Sequence, residues 1–206
     1  MDHLLPWLRL QSTPGLGRVG LMRLIDYFET PENAINAASR GWPKLPGLRK
    51  GLANIVPAAN DTRIQKACKG LIKMDGWFRT IWDADYPQIL KNIPDPPVLL
   101  YGYGNIPEDP ALAIVGTRHP SDFGRVFTEQ MAEELAAAGM VIISGLARGI
   151  DTAAHRGALN AEGKTLAVLG CGIDRVYPPE NIKLYHQIIE QGTLLSEYPP
   201  GFCLQR

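Results

Sequence analysis

Three short apolar runs, each stopped by glycine and followed by helix-forming residues, constrain this chain more than any other feature. Val141 to Ser144 runs into a loop carrying Gly145, Arg148 and Gly149, and a helix opens near Asp151. Before it, Ala111 to Val115 runs into Gly116-Thr117-Arg118, with a helix from about Ser121. After it, Thr165 to Leu169 runs into Gly170-Cys171-Gly172. A fourth run, Thr193 to Ser196, follows a helix that Pro179 starts and Gly192 ends. Continuous apolar strands alternating with amphipathic helices predict a parallel sheet with helices on both faces. In such sheets ligands sit beyond the carboxyl ends of the strands, where these glycine loops gather.

Glycine lets backbone approach a ligand, and the free N–H groups of a helix start favour anions. Gly116, Thr117 and Arg118 supply a tight turn, a hydroxyl and a guanidinium that grips phosphate in two places. Ser144, the amides of Gly145 to Gly149 and Arg148 form a second donor set. Lys164 and Arg175 flank the third strand. The spacing matches neither a dinucleotide fingerprint nor the Gly-x-x-x-x-Gly-Lys-Ser/Thr loop of a nucleoside triphosphatase. No motif calls for a cofactor or a metal.

Asp151 and His155 stand four apart on one helix, and Glu197 ends the fourth strand. An acid, a base and a bound phosphate are the parts of a hydrolase. The plainer reading makes Asp151 a helix cap and His155 its structural neighbour.

The first 67 residues read as a small helical domain. Thr30 is a helix cap with Pro31 in the first turn. Thr13-Pro14-Gly15-Leu16-Gly17 and Leu45-Pro46-Gly47-Leu48 open two similar segments about 32 residues apart, a faint repeat. Both are similar to helix-hairpin-helix motifs of a SAM-like domain, and Arg49 replaces a glycine in the second. Helical hairpins tightened by Pro-Gly turns, with no ligand, explain the same pattern. Residues 68–110 read as a connector. It holds a short strand at Thr80 to Trp82, an Asp- and Pro-rich crossover from Asp83 to Pro97, and a strand from Val98 to Tyr101. Trp77, Phe78, Trp82 and Tyr86 are expected to bury. Residues 111–206 form the main α/β domain. Its first helix carries Phe127, Met131 and Leu135 on one face.

The formal net charge is zero, so a nucleic-acid partner would need a local patch rather than a bulk field. Cys68, Cys171 and Cys203 are scattered, which fits a reducing compartment. No leader and no membrane-length apolar run is seen, so a cytoplasmic protein without a membrane partner is expected.

Several long motifs in order resemble the DprA/Smf family of DNA-processing proteins. They are Ile114-Val115-Gly116-Thr117-Arg118, Ser144-Gly145-Leu146-Ala147-Arg148-Gly149-Ile150-Asp151, Ala154-His155 and Leu166-Ala167-Val168-Leu169-Gly170-Cys171-Gly172. Tyr177-Pro178, Asn181 and Ser196-Glu197-Tyr198-Pro199-Pro200-Gly201 extend the match, as do Asp85-Tyr86-Pro87 and Pro96-Pro97-Val98-Leu99. The resemblance implies an extended Rossmann fold behind a helical domain, and a non-catalytic protein. Its partners would be single-stranded DNA, a RecA-type recombinase to be loaded in natural transformation, and a second copy in a homodimer. It places Arg118 on a backbone phosphate, with Gly116 and Thr117 shaping the pocket. Ser144, Gly145, Arg148 and Gly149 line the same groove, Gly170 and Gly172 border it, and Lys164 is a further phosphate contact. Phe123, Tyr177, Tyr198 or Phe202 could stack a base, with packing the favoured role for Phe123. After Gly201 the family continues with a Phe-Pro-x-Arg-Asn-Arg-Ile-Ile type of segment. This chain reads Phe202-Cys203-Leu204-Gln205-Arg206, so its α/β domain is expected to be incomplete there. Two other readings remain open: a nucleotide or sugar-phosphate hydrolase, and an interaction module that keeps a fossil anion pocket.

Overall fold

The computed structural model describes residues 3–202; Cys203 and the closing residues 204–206 lie outside the described residues. The chain divides into two compact units, Met1–Ile72 with Phe78–Leu99, and Lys73–Trp77 with Leu100–Arg206.

The first unit is built on helices α1 (Leu4–Gln11), α2 (Arg18–Phe28), α3 (Pro31–Ala38) and α4 (Thr62–Lys73). Leu8, Leu10, Leu24, Ala34 and Ile64 are among its buried residues. Thr30 caps α3 by accepting the Asn33 amide at 3.1 Å. The second repeat makes no full helix, only a 3-10 turn over Leu52–Ile55. Pro57 is the reason, because it drives Val56 into extended backbone and ends the turn. Helix α4 runs on through residue 67, the expected end of the helical domain, into the connector. Ile64, Ala67, Cys68 and Leu71 continue its buried face without a break. Tyr86 is buried, and its hydroxyl donates to the Pro97 carbonyl at 2.7 Å. Trp82 stacks on Trp7, with ring centroids 5.7 Å apart. The crossover segment contains one helical turn, α5 (Gln88–Lys91).

Six strands form one sheet: β1 (Trp77–Thr80), β2 (Leu99–Tyr103), β3 (Ala111–Ala113), β4 (Val141–Ser144), β5 (Thr165–Leu169) and β6 (Thr193–Ser196). Their spatial order is β1-β2-β6-β5-β4-β3. β1 starts earlier than the expected Thr80 to Trp82 stretch. Asp83 accepts the Thr80 amide at 2.6 Å and bends the chain there into a turn. β3 to β6 are parallel, and β2 joins β6 antiparallel. β3 belongs to an apolar run, yet all three of its residues are exposed. It lies at the sheet edge and has β4 as its one partner in the sheet.

Helices α6 (Asp122–Ala137), α7 (Ile150–Asn160) and α8 (Ile182–Gln191) are the crossovers. Each step moves one strand along in the same direction. Right-handed crossovers then place all three helices on one face, where helices on both faces were expected. That face carries Ile114 and Ile142, which pack with Ala132 and Ala136 of α6 and Ala154 and Ala158 of α7. On the sheet's other face Val168 is 45% exposed. Ser121 caps α6 by accepting the Gly124 amide at 3.1 Å, and Asp122 in the first turn suits the helix dipole. Met131 and Leu135 of α6 meet the core, but Phe127 does not. It lies on the flank turned from α7 and is 52% exposed. No described helix is long and apolar enough to cross a membrane.

Candidate nucleic-acid interface

The parallel register of β3, β4 and β5 aims three loops at one sheet edge. Two of them touch backbone to backbone. Gly149 has φ +77°, and a Cβ built there would lie 2.3 Å from the Thr117 carbonyl oxygen. The Ile150 amide donates to that same oxygen at 3.2 Å. Gly116 is needed for a related reason: a Cβ would come 2.7 Å from the Ile150 side chain. These two glycines let the Gly116–Arg118 loop lie against the start of α7.

The amides of the second loop are not all open to a ligand, as the sequence suggested. Asp151, buried at the start of α7, accepts the Gly145 amide at 3.2 Å and the Ala147 amide at 3.4 Å. Gly149, not Asp151, is the residue before the helix. A carboxylate of the protein therefore occupies part of the anion-binding turn. Thr152 donates to the Ala147 carbonyl at 2.7 Å. Asn181 donates to the Leu146 carbonyl at 3.0 Å and to the Thr152 hydroxyl at 2.9 Å. The clamp formed by Asn181 was not foreseen from spacing. It bridges residues far apart in sequence, and no local pattern marks it.

The expected contacts separate into three groups. Gly116, Thr117, Arg118 and Gly170 are exposed at the edge, with Gly145, Arg148 and Gly149 partly exposed beside them. Thr117 accepts the His119 amide at 3.2 Å, and its own proton has no acceptor among the described residues. Arg118 has no hydrogen bond or ion pair among the described residues. Arg148 is already matched: its guanidinium donates to Glu180. The Glu180 hydrogen bond raises the Arg148 pKa, and the same contact holds the Glu180 carboxyl below its usual range.

Ser144 and Gly172, expected to line the groove, are both buried. The Ser144 hydroxyl spends its proton on the Ile114 carbonyl at 2.6 Å, tying β4 to the end of β3. Gly172 serves the 196–202 segment. Its amide donates to the Phe202 carbonyl at 3.0 Å, and a Cβ would lie 2.5 Å from the Pro199 carbonyl. Lys164, expected as a further phosphate contact, lies apart from these loops. It precedes β5 and so stands at the amino end of the strands, opposite the glycine loops. There it pairs with Asp109 at 2.6 Å and holds that carboxyl below its usual range. Lys164 also borders a cavity of about 580 Å³ with Asp75, Trp77, Tyr103 and Glu190.

The acid–base pair is not assembled. His155 is fully buried, and its Nδ1 lies 2.7 Å from the Thr165 hydroxyl. That hydroxyl donates to the Ile142 carbonyl, so the ring must donate from Nδ1. Burial pushes the His155 pKa down to about 4. Among the aromatic candidates, Phe123 is 78% exposed rather than packed, and stacks on Phe127. Tyr198 and Phe202 stack on each other at 4.4 Å.

A family model described as DNA recombination-mediator protein A matches residues 77–206. The chain is 38% identical over 202 residues to protein Smf of Synechocystis, covering 95% of this chain and 51% of that relative. It is 45% identical over 124 residues to DNA processing protein DprA of Streptococcus pneumoniae, covering 59% and 44%. It thus spans about half the length of these relatives, or less. The X-ray structure of the Streptococcus pneumoniae DprA is similar over 100% of this chain and 70% of that one. Its TM-score is 0.67 at 30% identity. A structure of DNA processing protein A from Helicobacter pylori, concerned with its single-stranded DNA binding mode, has a TM-score of 0.56. It is 34% identical, over 63% of this chain and 59% of that one. A six-stranded α/β sheet with these strand-end loops, and a family match over more than half its length, lead to one conclusion: the chain belongs to the DNA recombination-mediator protein A family.

Proposed function

We propose that this chain binds single-stranded DNA through its phosphate backbone at the carboxyl edge of the sheet, and hands it to recombination without chemical turnover. One observation carries the reading. At an edge where Asp151 fills the amide turn and Glu180 matches Arg148, Arg118 keeps an exposed guanidinium with no partner among the described residues. Gly116 and Thr117 hold it on a loop fixed against α7. A guanidinium takes two phosphate oxygens at once, and phosphate contacts carry affinity without sequence preference. The Helicobacter pylori relative, described for its single-stranded DNA binding mode, supports this choice of ligand. Gly145, Arg148, Gly149 and Gly170 border the proposed groove, and Ser144 and Gly172 act from beneath it.

We further propose a RecA-type recombinase as the recipient of the strand, natural transformation as the process and a homodimer as the working assembly; the family's description as a recombination mediator supports the first of these. The proposed compartment is the cytoplasm. Cys68 carries a buried free thiol, as a reducing environment leaves it.

The test is fluorescence anisotropy of a labelled oligo(dT), with a duplex competitor, at several salt concentrations. Single strands should bind in preference to duplex. The logarithmic salt slope should be roughly 0.7 for each phosphate held. Equal affinity for duplex, or an Arg118→Ala variant that binds as the wild type does, overturns the reading.

A further inference from the structure

Helix α6 carries an aromatic pair that neither the core nor the phosphate loop uses. Phe123 is 78% exposed and Phe127 is 52% exposed. They stand four apart on one face, with ring centroids 5.8 Å apart and planes 19° from parallel. Thr128, Ala132 and Ala136 turn inward, and Glu129 faces α7, where Asn160 donates to it at 3.3 Å. Phe123 and Phe127 therefore occupy the opposite flank. We propose that they form a base-stacking shelf, receiving the nucleobases of a single strand whose phosphate lies on Arg118. The proposal rests on the phosphate-edge reading above.

Three observations favour a nucleobase as the occupant. The shelf continues the edge: Val115 to His119 are exposed without interruption, and the Ser121 cap leads directly to Phe123. Phenylalanine has no hydrogen-bonding group, so it offers a base a π face and no sequence reading, which suits a backbone-driven binder. Asp122, exposed in the first turn of α6, repels phosphate from that turn. A strand anchored at Arg118 then keeps its backbone outside and turns its neutral bases to the rings. Arg125 lies beside Asp122 and Glu129 at 3.9 and 4.0 Å, so the flank is not strongly charged.

The experiment compares oligo(dT) with an abasic oligomer of equal length, which has the same phosphates and no bases. Both are titrated by anisotropy against the wild type and a Phe123→Ala, Phe127→Ala double variant. Wild type should prefer oligo(dT). The double variant should lose about tenfold on oligo(dT) and nothing on the abasic strand. A Phe123→Tyr, Phe127→Tyr variant should recover the preference. Equal wild-type affinity for the two oligomers overturns the shelf and leaves the Arg118 site standing. Failure to bind either oligomer overturns both. A double variant that changes its sedimentation but not its oligo(dT) affinity makes the pair a protein contact, and also overturns the shelf.

Discussion

Asp151 Oδ2 accepts the Gly145 amide at 3.2 Å, so the turn most suited to an anion already holds one of the protein's own. Two amides converge on that carboxylate, and the loop is organised before any ligand arrives. Removing it leaves two part-buried donors unmet. Asp151→Ala should cost about 2 kcal/mol in a urea unfolding curve. Asp151→Asn keeps an acceptor oxygen and should cost less. Equal losses would mean that acceptor chemistry does not matter at this turn.

Glu180 competes with a phosphate for Arg148. Glu180→Gln should therefore release the guanidinium and tighten oligo(dT) binding about twofold to fourfold at low salt. The salt slope should steepen at the same time. Weaker binding by this variant would show that the ion pair positions Arg148 for the strand.

Arg118 and Lys164 stand at opposite ends of the parallel strands, and a single pair of variants distinguishes the two edges. Arg118→Ala should weaken oligo(dT) binding about tenfold, by the loss of a charged hydrogen-bonding contact. Lys164→Ala should leave it unchanged. The reverse result moves the interface to the edge with the 580 Å³ cavity.

His155 ties stability to pH. Its folded pKa is about 4 against an ordinary 6.5, with burial as the main cause and a smaller opposing pull from the Ser144 backbone. Between those two values the unfolded chain takes up a proton that the folded chain refuses. Stability is therefore full above pH 6.5 and falls as the pH drops toward 4, by an amount on the order of 3 kcal/mol. His155→Gln can still donate to Thr165 and does not titrate. Urea midpoints for the two proteins should differ in slope across this window; parallel curves would remove His155 as the cause.

The strands were legible because their signals are local. Val141 to Ser144, Thr165 to Leu169 and Thr193 to Ser196 are short apolar runs bounded by glycine or polar residues, and each is a strand. Thr30 was readable as a cap for the same reason. Residues whose roles depend on distant partners were not. Nothing near Ser144 announces that its proton goes to Ile114, thirty residues away. Nothing near Arg148 announces Glu180. Phe127 fits the apolar period of α6, but that period alone cannot tell which apolar positions reach the core. Lys164 was readable as a phosphate contact from its charge alone, whereas its place depends on topology: a residue just before a parallel strand stands at its amino end.

Gly149 leaves one further consequence. The space that a methyl group would need there is taken by the Thr117 carbonyl, 2.3 Å from where the Cβ would be. The width of the gap between the two loops is thus fixed by a missing carbon. Any larger residue would act as a wedge, swinging the arm that carries Arg118 away from the helix start. The groove is calibrated by subtraction, so its tolerance to substitution at residue 149 is close to nil, however mild the replacement looks on paper.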